Sequence, residues 1–402
     1  MDRGRRSWLV LPVLWAAGVG RARGAETAPE GASEPSRAGA REPLRAGMST
    51  ALSGPAQGLG AGMKAGVEAY FKRVNAHGGI HGRPLELIAL DDQYEPSKTG
   101  PNVRRLIDEQ HVLAIVGNVG TPTAVVTVPI VNEKKVPLFG AFTGAGVLRK
   151  TPPDRYVFNV RSSYADETAE MIRGLLDDRK LEPEQIAFFT QDDSYGDAGY
   201  NGAVKALAKR GFELPEKLAH GRYARNTLDV EDGLARVMDP RYRPKAVIMV
   251  GTYKPCARFI RLARKHGLRA LFANVSFVGS AGLSKELGAD ADGVVITQVV
   301  PHWSGNLPVL EEYRASGLSP DFVSLEGFVV GRAYAEVLRA AGPDPTPERF
   351  VETAESGKAF DLGLGAPLAL SPTVHGFGTS VWPTRILGGE FRLFSNWSEV
   401  PA

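Results

Sequence analysis

A single cysteine, Cys256, stands in a chain of 402 residues. This excludes an intrachain disulfide framework and any multi-cysteine metal site, and one isolated thiol reads as a small residue on a helix face. The body of the chain has no basic cluster. The net charge is +3, part of it carried by N-terminal arginines, so no nucleic-acid surface is expected. Beyond the N-terminal segment no stretch is long and apolar enough to cross a bilayer, so a soluble protein outside the cytoplasm is expected. Catalytic signatures are also lacking. Gly279-Ser280-Ala281-Gly282 misses one residue of the serine-elbow spacing, and there is no phosphate loop. Gly60-Ala61-Gly62-Met63-Lys64-Ala65 has the spacing of a dinucleotide fingerprint, but a ten-residue loop separates it from the preceding strand and it falls inside a predicted helix. His77 and His81 flank glycines that break the helix on which such a pair would converge. Asp91-Asp92 and Asp192-Asp193 read as solvated loop acids near helix starts. No enzyme activity, cofactor or metal is expected.

The first residues read as a leader. Arg3, Arg5 and Arg6 precede an apolar run over 8–19 that is too short to span a membrane, and Ala22-Arg23-Gly24 suits a small-residue cleavage site. A signal peptide over 1–24 is expected, with an uncleaved anchor as the alternative. Arg5-Arg6-Ser7-Trp8-Leu9 also resembles a twin-arginine export signal. Residues 25–42 are Ala, Gly, Pro, Glu, Ser, Thr and Arg, with nothing to bury, and read as a disordered linker.

Two short apolar strands over 114–117 and 136–140 organise the remainder. The first empties into Asn118-Val119-Gly120-Thr121-Pro122-Thr123, where Thr121 is expected to cap a helix with Pro122 at its first position. The second opens into Ala141-Phe142-Thr143-Gly144-Ala145-Gly146. Two adjacent strand ends with hydroxyls and free amides, one at a helix N-terminus, favour a carboxylate or another anion. Around them, strands over 43–49 and 84–90 alternate with helices over 59–76 and 96–110, the pattern of a parallel sheet wrapped by helices. A second βα series follows, with strands expected over 185–190, 212–219, 245–250, 271–274 and 293–297, and a helix over 227–238. Tyr195, Tyr253 and Asn274-Val275-Ser276-Phe277 fall at carboxyl ends of these strands, where ligands lie in open α/β sheets. Helices over 322–341 and 347–355 come next, then short strands over 366–370, 379–383 and 391–394. The length and 43% hydrophobic content call for two α/β lobes. Lobe 1 is expected over 43–162 plus 300–370, and lobe 2 over 163–299 plus 371–402.

Leu52-Ser53-Gly54-Pro55, the run Asn75-Ala76-His77-Gly78-Gly79-Ile80-His81-Gly82-Arg83-Pro84-Leu85, Asp91-Asp92, Val116-Gly117, Tyr195-Gly196 and Gly251-Thr252-Tyr253 occur in the order seen in a known family. Together they resemble the periplasmic solute-binding proteins of branched-chain amino-acid importers. The resemblance implies two Rossmann-like lobes with parallel sheets, joined by three crossovers, that close on a small carboxylate-bearing ligand. It implies a monomer in the periplasm, with the membrane permease of an ABC importer as partner. A sensor feeding a signalling protein is the second reading. Thr121 would offer its hydroxyl and amide to the ligand carboxylate, and Phe142 and Gly144 backbone groups from the turn that holds Thr143. Tyr195 and Tyr253 would come from the opposite lobe. Leu59 stands where an aromatic residue often covers the ligand, so a more open wall is expected there. Ser276 stands where amino-acid binders place a glutamate for the α-ammonium. A buried cation without a counter-charge is costly. Either Glu326 replaces that glutamate, or the ligand carries no amine.

Overall fold

The computed structural model describes residues 41–378 and 380–401. The leader and all but the last two residues of the linker lie outside them. The first sheet has five parallel strands: β1 (Leu44–Thr50), β2 (Leu85–Asp91), β3 (Ala114–Val116), β4 (Leu138–Phe139) and β5 (Val157–Phe158). Their order is β2-β1-β3-β4-β5. The second sheet is built on β6 (Ile186–Gln191), β7 (His220–Tyr223), β8 (Ala246–Val250), β9 (Leu271–Asn274) and β10 (Val295–Gln298). A small hairpin follows, β11 (Ala359–Phe360) with β12 (Leu368–Ala369). The chain then returns to add β13 (Trp382–Leu387), antiparallel to β10, and β14 (Glu390–Leu393), giving the order β14-β13-β10-β9-β8-β6-β7. Except for the edge strands β2 and β7, the parallel strands are mostly apolar and buried along most of their length, as strands covered by helices on both faces must be.

The helices between the strands are α1 (Gln57–Ala76), α2 (Pro96–Asp108), α3 (Thr121–Lys134), α4 (Tyr164–Arg173), α5 (Ser194–Ala208), α6 (Glu231–Val237), α7 (Tyr253–Lys265) and α8 (Ser280–Leu287). After β10 come α9 (Pro308–Ala315), α10 (Phe322–Ala341) and α11 (Pro347–Ala354), which return to the first sheet: Tyr334 and Phe350 pack on Phe139. The glycines of the fingerprint-like run lie within α1, where a Cβ on Gly60 would meet the Ala51 carbonyl oxygen (1.9 Å) and one on Gly62 the Val323 side chain of α10 (2.8 Å); two further glycines set the packing of α1 on α10. A Cβ on Gly66 would stand 2.0 Å from the Ser324 carbonyl oxygen, and one on Gly327 would stand 2.4 Å from that of Met63. Gly66→Ala is therefore expected to force α1 off α10 and lower stability by at least the ~1–3 kcal/mol typical of overpacking. Urea unfolding would measure it, and an unchanged midpoint would contradict this packing.

Among the described residues three segments connect the sheets: 159–163 after β5, 299–307 after β10, and 378 with 380–381 before β13. The first and third are bound together. Asn159 donates its amide to His375 (2.7 Å) and accepts from Phe377 (3.0 Å), and the Ser162 hydroxyl donates to the Ser380 carbonyl (2.7 Å).

Three expectations fail locally. The strand over 212–219 is replaced by a short turn at Pro215–Lys217, and the pairing with β6 starts only at His220. Pro215 has no N–H to give to a ladder. The helix over 227–238 shrinks to α6, because Thr227 turns back on Ala224. Asp92 is buried rather than solvated, held by the hydroxyls of Ser49 (2.8 Å) and Thr99 (3.0 Å) and the Tyr94 amide (2.9 Å).

Candidate ligand cleft

The two turns meet between the sheets. Gly117 and Gly120 have φ of +69° and +108°, and these left-handed steps turn the chain from β3 into α3. Gly120, not Thr121, is the residue before the helix. Thr121 is its first helical residue, and its hydroxyl lies 2.6 Å from that of Thr143. The turns are also joined through the backbone: the Phe142 amide donates to Asn118 (2.7 Å) and the Gly120 amide to Phe142 (3.1 Å). The Phe142 amide and carbonyl are thus both engaged between the turns, and its ring packs on Phe277. The amides of Thr121 and Thr123 have no acceptor among the described residues, and the Gly144 amide faces the Tyr164 hydroxyl. The two threonine amides, with the two hydroxyls and the positive end of the α3 dipole, form a carboxylate-sized donor set. Arg149 fixes the second turn by donating to the carbonyls of Thr143 (3.3 Å), Ala145 (3.1 Å) and Arg161 (2.9 Å).

Opposite lies an aromatic cluster centred on Phe277. Its ring centroid is 4.6 Å from Tyr195, 5.1 Å from Phe142, 6.1 Å from Tyr94 and 6.5 Å from Tyr164. Tyr195 is fully buried and donates its hydroxyl to the Gly251 carbonyl (3.3 Å). Tyr253 reaches across, its hydroxyl accepting from the Gly58 amide (3.3 Å). Leu59 is buried against Gly279, so the wall expected to be open is closed. Further links bridge the mouth: Gln191 donates to the Tyr94 hydroxyl (3.2 Å), and Arg225 and Asn226 to Glu95 (2.9 and 2.6 Å).

The surroundings of Ser276 are the largest departure from the sequence reading. Arg161, from the first crossover, lies over the Phe142 ring at 4.8 Å and donates to the Ser276 hydroxyl and to Glu167 (3.3 Å). Its Nη1 is 3.5 Å from Glu326 Oε1. All three charged side chains are at most 3% exposed. Glu167 accepts from the Ser276 amide (2.7 Å), the Ser276 hydroxyl (3.0 Å) and the Thr297 hydroxyl (2.6 Å). Burial raises the Glu167 carboxyl, against the pull of Arg161 and these donors. Burial alone would lower the Arg161 guanidinium, but the carboxylates of Glu326 and Glu167 outweigh it, and its pKa is raised. Glu326 accepts no hydrogen bond among the described residues. Burial lifts its carboxyl to about 7, with Arg161 opposing and Glu167 adding to the rise. Sequence reasoning found Ser276 and Glu326 but missed Arg161 and Glu167, and it took Ser276 for an empty position.

A family model described as a periplasmic binding protein matches residues 43–390. An amino acid binding protein of Pseudomonas aeruginosa is 24% identical over 301 residues, 70% of this chain and 74% of that protein. The Leu/Ile/Val-binding protein of Escherichia coli is 22% identical over 289 residues, 67% of this chain and 72% of its own. The crystal structure of a possible leucine/isoleucine/valine-binding protein from Rhodopirellula baltica superimposes with a TM-score of 0.86. It is 46% identical, over 90% of this chain and 98% of that one.

Proposed function

Because the chain belongs to the periplasmic binding protein family, we propose that it is an exported solute-binding protein for a small carboxylic acid without an amine. The ligand is taken between the lobes by hinge closure and handed to the membrane permease of an ABC importer. The observation that carries this reading is Arg161 at Ser276. An α-ammonium needs an acidic partner when it is buried. Here the carboxylate beside Ser276 is already saturated by Arg161, the Ser276 amide and two hydroxyls. An arriving ammonium would meet a guanidinium of its own sign. The Thr121 and Thr123 amides and the Thr121 and Thr143 hydroxyls receive the carboxylate, while Phe142, Tyr195 and Phe277 face its apolar body. This reading involves binding alone, with no chemical step. The named relatives bind amino acids, so the proposed departure is the loss of the amine, not of the carboxylate.

Thermal-shift titration with isocaproate and hydrocinnamate tests the carboxylate site, since a ligand of the native state raises the melting temperature. Thr121→Val keeps the shape and removes the hydroxyl. It is expected to weaken binding about ten- to a hundredfold, the worth of a hydrogen bond to a charged group. Equal shifts in both proteins would place the carboxylate elsewhere.

A further inference from the structure

Behind the cleft, on the other side of Arg161, is a cavity of about 270 Å³ that the ligand reading does not use. All three crossovers line it, through Val160–Ser162, Val299–Pro301, and Gly378 with Ser380. Its walls are mostly apolar, with Leu307, Val329, Leu368, Phe377 and Trp382 among them. Arg161 and Glu326 also line it, and Arg161 Nη1 and Glu326 Oε1 meet each other only as an ion pair at 3.5 Å. Arg161 Nε and Nη1 and Glu326 Oε1 have no hydrogen-bond partner among the described residues, though both side chains are almost wholly buried. Unpartnered buried polar atoms are rare in native proteins and call for a partner. Arg161 offers donors and Glu326 acceptors, side by side in the wall of a mostly apolar pocket.

We propose that this hinge cavity is a second ligand site, for a small uncharged molecule with an apolar body and one head group that both accepts and donates, of which a primary amide is the simplest. The head-group carbonyl accepts from Arg161 and its N–H donates to Glu326. The body lies against Phe377, Trp382 and the leucines. A carboxylate head would face Glu326 as a like charge, and an ammonium head would face Arg161, so neither suits the pair. The size matches a body of five or six carbons rather than a drug-sized ligand, since sites for those usually start near 300 Å³. An occupant touches every strand of the hinge.

The test is calorimetry of residues 25–402 with hexanamide and with N,N-dimethylhexanamide, which cannot donate. Ala366 lines the mouth of the cavity and is exposed, so Ala366→Trp obstructs the entrance with little risk to the fold. Hexanamide is expected to bind at millimolar concentration or below, and the dimethyl compound roughly tenfold more weakly. Ala366→Trp is expected to abolish hexanamide binding, while Thr121→Val, which alters only the cleft, leaves it unchanged. No heat with the unaltered chain at millimolar hexanamide would overturn the proposal. So would binding that survives Ala366→Trp and is lost in Thr121→Val. Neither result depends on whether the cleft takes an amine-free acid, so the two readings fail separately.

Discussion

Replacing Arg161 by methionine is expected to lower the unfolding free energy by about 3–5 kcal/mol near pH 8, the usual cost of removing one partner from a buried ion pair. The guanidinium is the only cation at hydrogen-bonding or ion-pair distance from Glu167 and Glu326 among the described residues. Without it two carboxylates share a site from which water is excluded. Glu167 keeps its three donors from Ser276 and Thr297. Glu326 keeps none and is expected to take up a proton, at a cost that grows as pH rises. The double variant Arg161→Met with Glu326→Gln should therefore recover part of the loss, because the second carboxylate is gone. Urea unfolding of both variants measures this. A single variant within about 1 kcal/mol of the parent would mean that Arg161 does not balance these charges.

Glu326→Gln is expected to change the pH dependence of stability more than stability itself. The Glu326 carboxyl sits at about 7 in the folded protein, against 4.5 without the fold. The folded state therefore holds the proton more tightly than the unfolded chain. This contribution to stability is fully present below about pH 4.5 and is lost as pH rises through about 7. The displacement corresponds to about 3 kcal/mol. Glutamine resembles the protonated acid and does not titrate. The difference in unfolding free energy between variant and parent should then move in favour of the variant by about that amount between pH 4.5 and 8. A flat difference across this range would show that Glu326 is ionised throughout, or that solvent reaches it.

The parts of this site that could be read from the sequence are those with a local cause. Thr121-Pro122 marks a helix start, and Thr143, Tyr195 and Tyr253 follow apolar strands, so their place at strand ends follows from the βα alternation. The fold followed from the same alternation. The buried charges could not be read in this way. Arg161 leaves a crossover, Glu167 sits in the first turn of α4 behind a Ser163 cap, and Glu326 lies in α10. Each has an ordinary local explanation, and only the three-dimensional meeting of these segments puts them together. Asp92 misled for the same reason: beside Asp91 it reads as a loop acid, and its burial depends on Ser49 and Thr99 from two other elements. The strand misplaced before His220 had the right composition, but its register is set by β6.

The proposed cleft accepts a carboxylate and refuses an amine. Calorimetric titration of residues 25–402 with isocaproate and with leucine, which share a carbon skeleton and differ by the ammonium group, tests it directly. Isocaproate is expected to bind at least about tenfold more tightly, because the ammonium of leucine would be buried beside Arg161, whose charge already balances the nearby carboxylates of Glu167 and Glu326. Leucine binding as tightly as isocaproate, or more so, would contradict the account.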